Sequence, residues 1–239
     1  MSKELGLLLG TAVSLGFIHT LMGPDHYLPF VAMARIGRWS HAKTAVITFL
    51  CGIGHILSSV VLAFAGIALG VAVTRLKTIE SARGEIAAWL LIIFGFTYFV
   101  WGLHRALRGK PHHHLHAHAD EGIHAHEHTH TGEHTHVHQH DSAEKMTPWI
   151  LFTIFVFGPC EVLIPLLMAT AARHSMPSVI LVAGTFGVST IATMMIVVMG
   201  SSMGLSRVRV KFGGLERYSY AAAGLVVFLC GGAIKWLGL

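Results

Sequence analysis

The stretch GFIHTLMGPDHYLPF, residues 16–30, places three ionisable residues inside an otherwise apolar segment. These are His19, Asp25 and His26, and two prolines interrupt the same segment. An ionisable residue at membrane depth is costly and usually marks an ion or substrate path. The stretch therefore predicts a functional site on a broken membrane helix.

The composition of the whole chain indicates a membrane protein. Its 239 residues are 53% hydrophobic and 12% charged, whereas soluble domains carry about 25% charged residues. The formal net charge of +5 comes from short Lys and Arg clusters between apolar runs, which is typical of membrane loops rather than of a nucleic-acid-binding surface. We therefore expect a lipid bilayer as a partner and no nucleic acid.

Six apolar stretches reach the length of about 20 residues that a membrane helix needs. The predicted fold is accordingly all-α, a multi-pass membrane protein with about six transmembrane helices, the first of them broken near Gly23. The stretches cover residues 5–34, 44–73, 86–107, 148–172, 178–204 and 218–237.

A His-rich segment separates the third stretch from the fourth. Residues 111–145 hold most of the 19 histidines, interspersed with acids and with almost no large apolar residues. Such a segment cannot bury a core, so we predict a loop at residues 108–146 that is disordered without a ligand, between membrane repeats at 1–107 and 147–239. Its imidazoles favour the capture of borderline transition metals, although such a tract can also persist without an essential function.

The two membrane parts carry related sequences. GPDHYLPFVAMAR at residues 23–35 matches GPCEVLIPLLMATAAR at residues 158–173, and a long apolar run with a Thr-Phe pair follows each copy. Three spans separate the copies, and an odd number of crossings reverses the direction of the chain. The sequence therefore predicts two inverted three-helix repeats, whose broken helices meet at a binding site near the membrane midplane.

The basic residues predict the orientation in the membrane. The larger group of Lys and Arg falls on the side of the His-rich loop and includes Arg35, Arg38, Lys43, Arg105 and Arg108. By the positive-inside tendency, that loop is cytoplasmic and both termini lie outside. We accordingly expect the protein in the cytoplasmic (inner) membrane.

The proline break is predicted to shorten the distance between the two histidines of the opening stretch. In a straight helix, His19 and His26 would lie about 10.5 Å apart along the axis, which is too far for one ion that sits about 2.0 Å from each nitrogen. Pro24 lacks an N–H and clashes with the preceding turn, and Gly23 tolerates the dihedral angles of a sharp bend. A break at this point is therefore predicted to bring both imidazoles to one metal ion, with Asp25 beside them.

Three further residues are candidates for the same site. His55 follows two glycines that let helices approach closely. In the second repeat, Cys160 and Glu161 take the positions of Asp25 and His26. Imidazole with carboxylate suits nickel, cobalt, zinc or ferrous iron better than magnesium or calcium. The metal-binding candidates are thus His19, Asp25, His26, His55, Cys160 and Glu161.

Each candidate also has a purely structural interpretation. The first three residues could form a hydrogen-bond cluster that holds the kink. His55 could bond between helices, and the Cys160-Glu161 pair could serve as a gate or as a structural counterpart of the first break.

The sequence resembles the nickel/cobalt transporter superfamily. His19 followed by Asp25-His26 is similar to the His-x-x-x-x-Asp-His signature of that family, with five residues rather than four after His19. The GPDH, GIGH and GPCE segments are most similar to its urease-accessory-type nickel permease and nickel/cobalt efflux permease branch, and the sulfite exporter family is a distant relative. The resemblance implies a metal-binding role for His19, Asp25 and His26, and then for His55.

We therefore expect a transporter of divalent transition-metal ions, with nickel or cobalt as the cargo and efflux slightly favoured. It is not expected to be an enzyme or to hold a prosthetic group, and without a P-loop motif an ion gradient or the membrane potential would drive it. The alternatives are a nickel, zinc or iron importer, a sulfite or organic-anion exporter, an intramembrane metalloenzyme, and a metal sensor. A homo-oligomer and a metallochaperone partner are left open.

Overall fold

The computed structural model describes residues 3–108, 112–118, 122–128, 140–207 and 216–237. Two short strands, β1 (His112–His118) and β2 (Gly122–His128), pair antiparallel. The helices are α1 (Lys3–Met22), α2 (Leu28–Ile36), α3 (His41–Ala68), α4 (Val73–Arg108), α5 (His140–Phe157), α6 (Leu163–Ala171), α7 (Met176–Arg207) and α8 (Ser219–Leu237), with 3-10 turns at Pro24–His26 and Glu216–Tyr218.

Five of these helices are long and apolar enough to cross a membrane, namely α1, α3, α4, α7 and α8. The helical membrane portion predicted from the sequence is thus confirmed, and these helices indicate a multi-pass membrane protein. Helix α5 adds a shorter apolar stretch, Thr147–Phe157, and the chain continues after a break as α6. The predicted span at residues 148–172 therefore consists of two short helices.

The structure differs from two details of the sequence prediction. The third span was predicted to begin at residue 86, but α4 begins at Val73 and includes Glu80 and Arg83. Glu80 and Arg83 form an ion pair with each other at 2.9 Å, so the helix continues through both charged residues. The structure also differs from the prediction in the His-rich segment, part of which is ordered.

Part of the His-rich segment forms the β1–β2 hairpin. Its alternation of histidine with other residues has the two-residue period of a strand, which the prediction of disorder overlooked. Of the other predicted loop positions, residue 108 ends α4 and residues 140–146 belong to α5, whereas residues 109–111, 119–121 and 129–139 lie outside the described residues. They include His130, His134, His136 and His138.

Both Gly-Pro segments interrupt the helices as predicted. At the first break, Gly23 has extended dihedral angles (φ −88°, ψ 96°) and Pro24 begins a 3-10 turn, so α1 cannot continue. Pro29 lies in the first turn of α2, where a missing N–H is tolerated. At the second break, residues 158–162 separate α5 from α6. Non-helical backbone at membrane depth is stable only where protein or a cavity surrounds it.

Helices α4 and α8 form a close antiparallel pair. A Cβ on Gly95 or on Gly224 would collide with the backbone of the partner helix, so glycine permits this approach. Helix α1 packs along α7, and α5 packs along α3, which also contacts α7. The first break contacts α8, and the second lies against α3 and α4. The two breaks are therefore enclosed by the long helices.

Candidate metal centre

Three histidines from three separate elements converge inside the bundle. His19 lies near the end of α1, His26 in the first 3-10 turn and His55 within α3. One ring nitrogen from each lies within 4.8 Å of the other two. The ring centroids are 4.7 Å apart for His19 and His26, 5.0 Å for His26 and His55, and 6.1 Å for His19 and His55. The break thus places His19 beside His26, and α3 adds His55.

The rings of His26 and His55 are buried and carry nitrogens without protein partners. Each residue is 3% exposed. Among the described residues, His26 Nε2 and both ring nitrogens of His55 have no hydrogen-bond partner. A buried polar atom left unpaired costs about 1–3 kcal/mol, and such atoms in native structures call for a functional explanation. Binding of an ion would supply the missing partner.

Asp25 orients the His26 ring from outside the group of three nitrogens. Its Oδ1 lies 3.1 Å from His26 Nδ1, and the Gly23 carbonyl oxygen lies 3.2 Å from the same nitrogen. With a proton on Nδ1, the ring donates to these oxygens and keeps the lone pair of Nε2 for a ligand. Metal-binding histidines commonly have a carboxylate or carbonyl on the far nitrogen. Asp25 thus lies outside the three-nitrogen group and hydrogen-bonds to one of its members.

The second break reaches the same site through Cys160. This residue is fully buried, and its Sγ lies 3.8 Å from His19 Nε2. Glu161 is exposed and lines the cavity beside the histidines, but it is not part of the three-nitrogen group. The structure therefore places Cys160 in contact with the centre and Glu161 on the cavity wall.

A cavity of about 520 Å³ leads to the histidines. Its wall includes Asp25 and Glu161 and, on α4 and α8, the ion pair of Glu85 with Lys235. The side chain of Glu85 is 57% exposed and that of Lys235 is 27% exposed, so the cavity is accessible on the side of this pair.

The donor set fits a transition-metal ion. Two nitrogens that bind one ion at about 2.0–2.1 Å lie at most about 4.2 Å apart, so separations of up to 4.8 Å have to close by small rotations of the rings. Imidazole suits nickel, cobalt, zinc and ferrous iron, whereas magnesium and calcium require oxygen ligands. Three histidines leave coordination positions free for water or for the Cys160 sulfur.

Comparisons with known proteins do not place the chain in a family. No family model, curated protein or solved structure matches it. The resemblance to the nickel/cobalt transporter superfamily therefore stays a prediction.

An ion pair on α4, next to the second break, was not predicted from the sequence. Glu80 is 1% exposed, and its Oε2 accepts a hydrogen bond from Arg83 Nη1 at 2.9 Å. Hydropathy assigned both residues to a loop because their charges end the apolar run. Their spacing of three residues was the available signal, since it places opposite charges on one face of a helix.

Proposed function

We propose that the protein transports divalent transition-metal ions across a membrane, with nickel or cobalt as the cargo, through a site formed by His19, His26 and His55. The observation that carries this proposal is the group of imidazole nitrogens, several of them buried and unpartnered, at a helix break between membrane-spanning helices. Ionisable residues at membrane depth usually mark an ion path. Cys160 and Glu161 would form the opposite side of that path.

The charges around the cavity favour a cation over an anion. Asp25 and Glu161 both line it, and an anion would have to overcome their repulsion. An anion site at a helix break would also need a cation that is free to bind. Arg83 lies at the second break, but its guanidinium already bonds to Glu80 and to backbone carbonyl groups. An exporter of sulfite or organic anions is therefore the weaker interpretation.

Two inverted repeats are the architecture that we propose for the transporter. Each half runs in the order helix, break, short helix and two long helices, as α1–α4 and as α5–α8. Helix α1 packs on α7, and its counterpart α5 packs on α3, the counterpart of α7. The contact between α1 and α7 therefore corresponds to the contact between α5 and α3 when the two halves are exchanged. In transporters of this kind the site lies between the repeats, and one repeat rocks against the other to give alternating access.

The cavity would open to the outside in the orientation that we propose. Glu85, on the accessible side, lies about 35 Å along α4 from the end that leads to the His-rich segment. The positive-inside tendency places that segment in the cytoplasm, and hence the protein in the cytoplasmic membrane. A cytoplasmic His-rich segment would capture ions for export, which favours efflux. Import is the alternative, with the same segment as the receiver.

A second candidate is an intramembrane zinc enzyme. Three histidines with an open coordination position are also a ligand set of catalytic zinc sites. Such an enzyme would hold zinc at the same three residues and would move no ions. Measurement of transport therefore separates the two candidates.

Accumulation of radioactive nickel in cells that produce the protein tests the proposal. We expect the nickel content to differ from that of cells without the protein, with a lower content for efflux and a higher content for import. Excess cobalt should abolish the difference, and competition by zinc or iron ranks the metals. Equal accumulation of nickel and of cobalt with and without the protein would contradict transport and favour the zinc enzyme.

A further inference from the structure

Arg83 of α4 bonds to three structural elements around the second break. Its Nη2 donates to Ser58 Oγ on α3 (2.7 Å) and to the Val156 carbonyl near the end of α5 (2.8 Å), with a longer contact to the Gly158 carbonyl (3.5 Å). Its Nη1 donates to Glu80 Oε2 on α4 itself (2.9 Å). The guanidinium thus ties α3 and α4 to the break.

The position of Arg83 suits a cation. Carbonyl groups in the last turn of α5 have no further helical N–H to accept from, and a helix C-terminus favours positive charge. Glu80, buried beside Arg83, supplies the matching negative charge. The neighbouring Gly84 lets the break approach α4, because a Cβ at this position would lie only 2.7 Å from Pro159 Cγ. The break is therefore fixed against α4 at this point.

Arg83 reaches His55 by two routes. The Ser58 hydroxyl, which accepts from Arg83, donates to the backbone carbonyl of His55 (2.9 Å). Gly158 lies directly against the His55 ring, since a Cβ on Gly158 would be 3.0 Å from His55 Nδ1. The His55 ring also packs against Phe155 of α5, with the ring centroids 6.2 Å apart, so contacts with Phe155 and Gly158 set the direction of the ring. Both residues lie beside the Val156 carbonyl to which Arg83 donates.

The two breaks satisfy their backbone in different ways. At the first, the Gly23 carbonyl accepts from the His26 backbone N–H (3.0 Å) and lies 3.2 Å from His26 Nδ1. At the second, the corresponding Gly158 carbonyl faces Arg83, which comes from another helix. The first break can therefore present its own histidine to an ion, whereas the second supports a histidine of α3.

We propose that Arg83, with Glu80 as its counter-charge, is a positioning residue of the metal centre and fixes the orientation of His55. It touches no ion itself and acts through Ser58 and Gly158. This inference rests on the proposed function, because it takes His55 to be a ligand of the transported ion.

Nickel flux into proteoliposomes that contain the full chain tests the proposal. Initial rates at a series of nickel concentrations give the KM of wild-type protein, of Glu80→Gln/Arg83→Gln, of His55→Ala and of all three changes together. Both members of the ion pair are changed because a single change leaves a buried charge unpaired. Lys77→Gln, an exposed position on the same helix, is the control and should keep the wild-type KM.

We expect Glu80→Gln/Arg83→Gln to raise the KM about 10- to 100-fold, the usual effect of losing the support of a metal ligand. His55→Ala keeps the His19 and His26 imidazoles and the Asp25 contact of His26, so we expect a raised KM with measurable flux. In this background the same two changes should raise the KM no further, because residues that act through one ligand are not additive. An unchanged KM overturns the proposal. An equal rise with and without His55 also overturns it, since a general loosening of the fold would give that result.

A second variant covers the case in which the ion-pair variant does not fold. Ser58→Ala removes only the hydroxyl between Arg83 and His55, and it should give a smaller rise in KM that again disappears in the His55→Ala background. An unchanged KM in Ser58→Ala then overturns the proposal. Wild-type protein without nickel flux overturns this inference together with the proposed function, whereas flux with an unchanged KM overturns only the role of Arg83.

Discussion

At the residue scale, the buried polar side chains around the two breaks differ in how they are paired. Glu80 pairs with Arg83 through Oε2, whereas Glu80 Oε1 and the ring nitrogens His26 Nε2, His55 Nδ1 and His55 Nε2 have no partner in the part of the chain described. A buried ion pair with further hydrogen bonds is tolerated, but an unpaired buried nitrogen lowers stability. An ion bound to these nitrogens would therefore stabilise the folded state, because it binds the folded chain preferentially.

Asp25 should control metal affinity without binding the ion. Asp25→Asn keeps the shape of the side chain but removes the charge that lies 3.1 Å from His26 Nδ1. We expect the KM for nickel flux in proteoliposomes to rise about 10- to 100-fold, with an unchanged yield of folded protein. Glu4→Gln, which changes an exposed carboxylate outside the cavity, is the control. A wild-type KM in Asp25→Asn would show that the carboxylate does not support His26.

The sequence predicted the convergence of the three histidines from local signals, namely two histidines around a proline break and a third after paired glycines. The position of Asp25 was not predictable, because the backbone angles of a single 3-10 turn decide whether its carboxylate meets the ion or the neighbouring ring. Arg83 was missed for another reason. Hydropathy counts each charge separately, although opposite charges three residues apart on a helix compensate each other.

At the element scale, glycines set the distance between α4 and α8. A Cβ on Gly224 would collide with the backbone nitrogen of Phe99, and a Cβ on Gly95 would collide with the backbone of Phe228. A backbone cannot rotate aside as a side chain can. The helices would have to separate, and the wall that they form beside the cavity would open.

Gly224→Ala should therefore destabilise the bundle. We expect a loss of about 1–3 kcal/mol from overpacking, which corresponds to a fall in Tm of about 2–4 °C per kcal/mol for a chain of this size. Thermal unfolding in detergent measures the effect. Gly184→Ala in α7 is the matched control, since nothing lies within 4 Å of its added Cβ and alanine favours a helix over glycine by about 0.5–1 kcal/mol. Equal Tm values for the two variants would contradict the close approach.

The breaks of the helices were predictable from the sequence, but several helix limits were not. Glycine followed by proline acts on the local backbone, so both interruptions appear at the predicted positions. The start of α4 depends instead on tertiary contacts, because Arg83 finds partners on α3 and at the second break. Hydropathy along the sequence cannot detect such partners, so the predicted span ended at the first charged residue.

At the scale of the whole molecule, the halves contribute unequally to the centre. All three histidines belong to residues 3–108, and the second half adds the Cys160 sulfur and the Gly158 backbone. The proposed inverted repeat would thus carry ligands on one half and their support on the other. The His-rich segment joins the halves at the far end of α4, so in the proposed transporter ions would be captured and passed across the membrane at different places.

Nickel flux by the purified chain in proteoliposomes, compared between wild-type protein and His26→Ala, tests the central claim that the three-histidine centre carries the ion across the membrane. His41→Ala, which changes an exposed histidine at the start of α3, controls for the loss of any imidazole. We predict nickel flux for wild-type protein and for His41→Ala, and flux at the level of empty liposomes for His26→Ala. A His26→Ala variant that transports nickel as fast as wild-type protein would contradict the account.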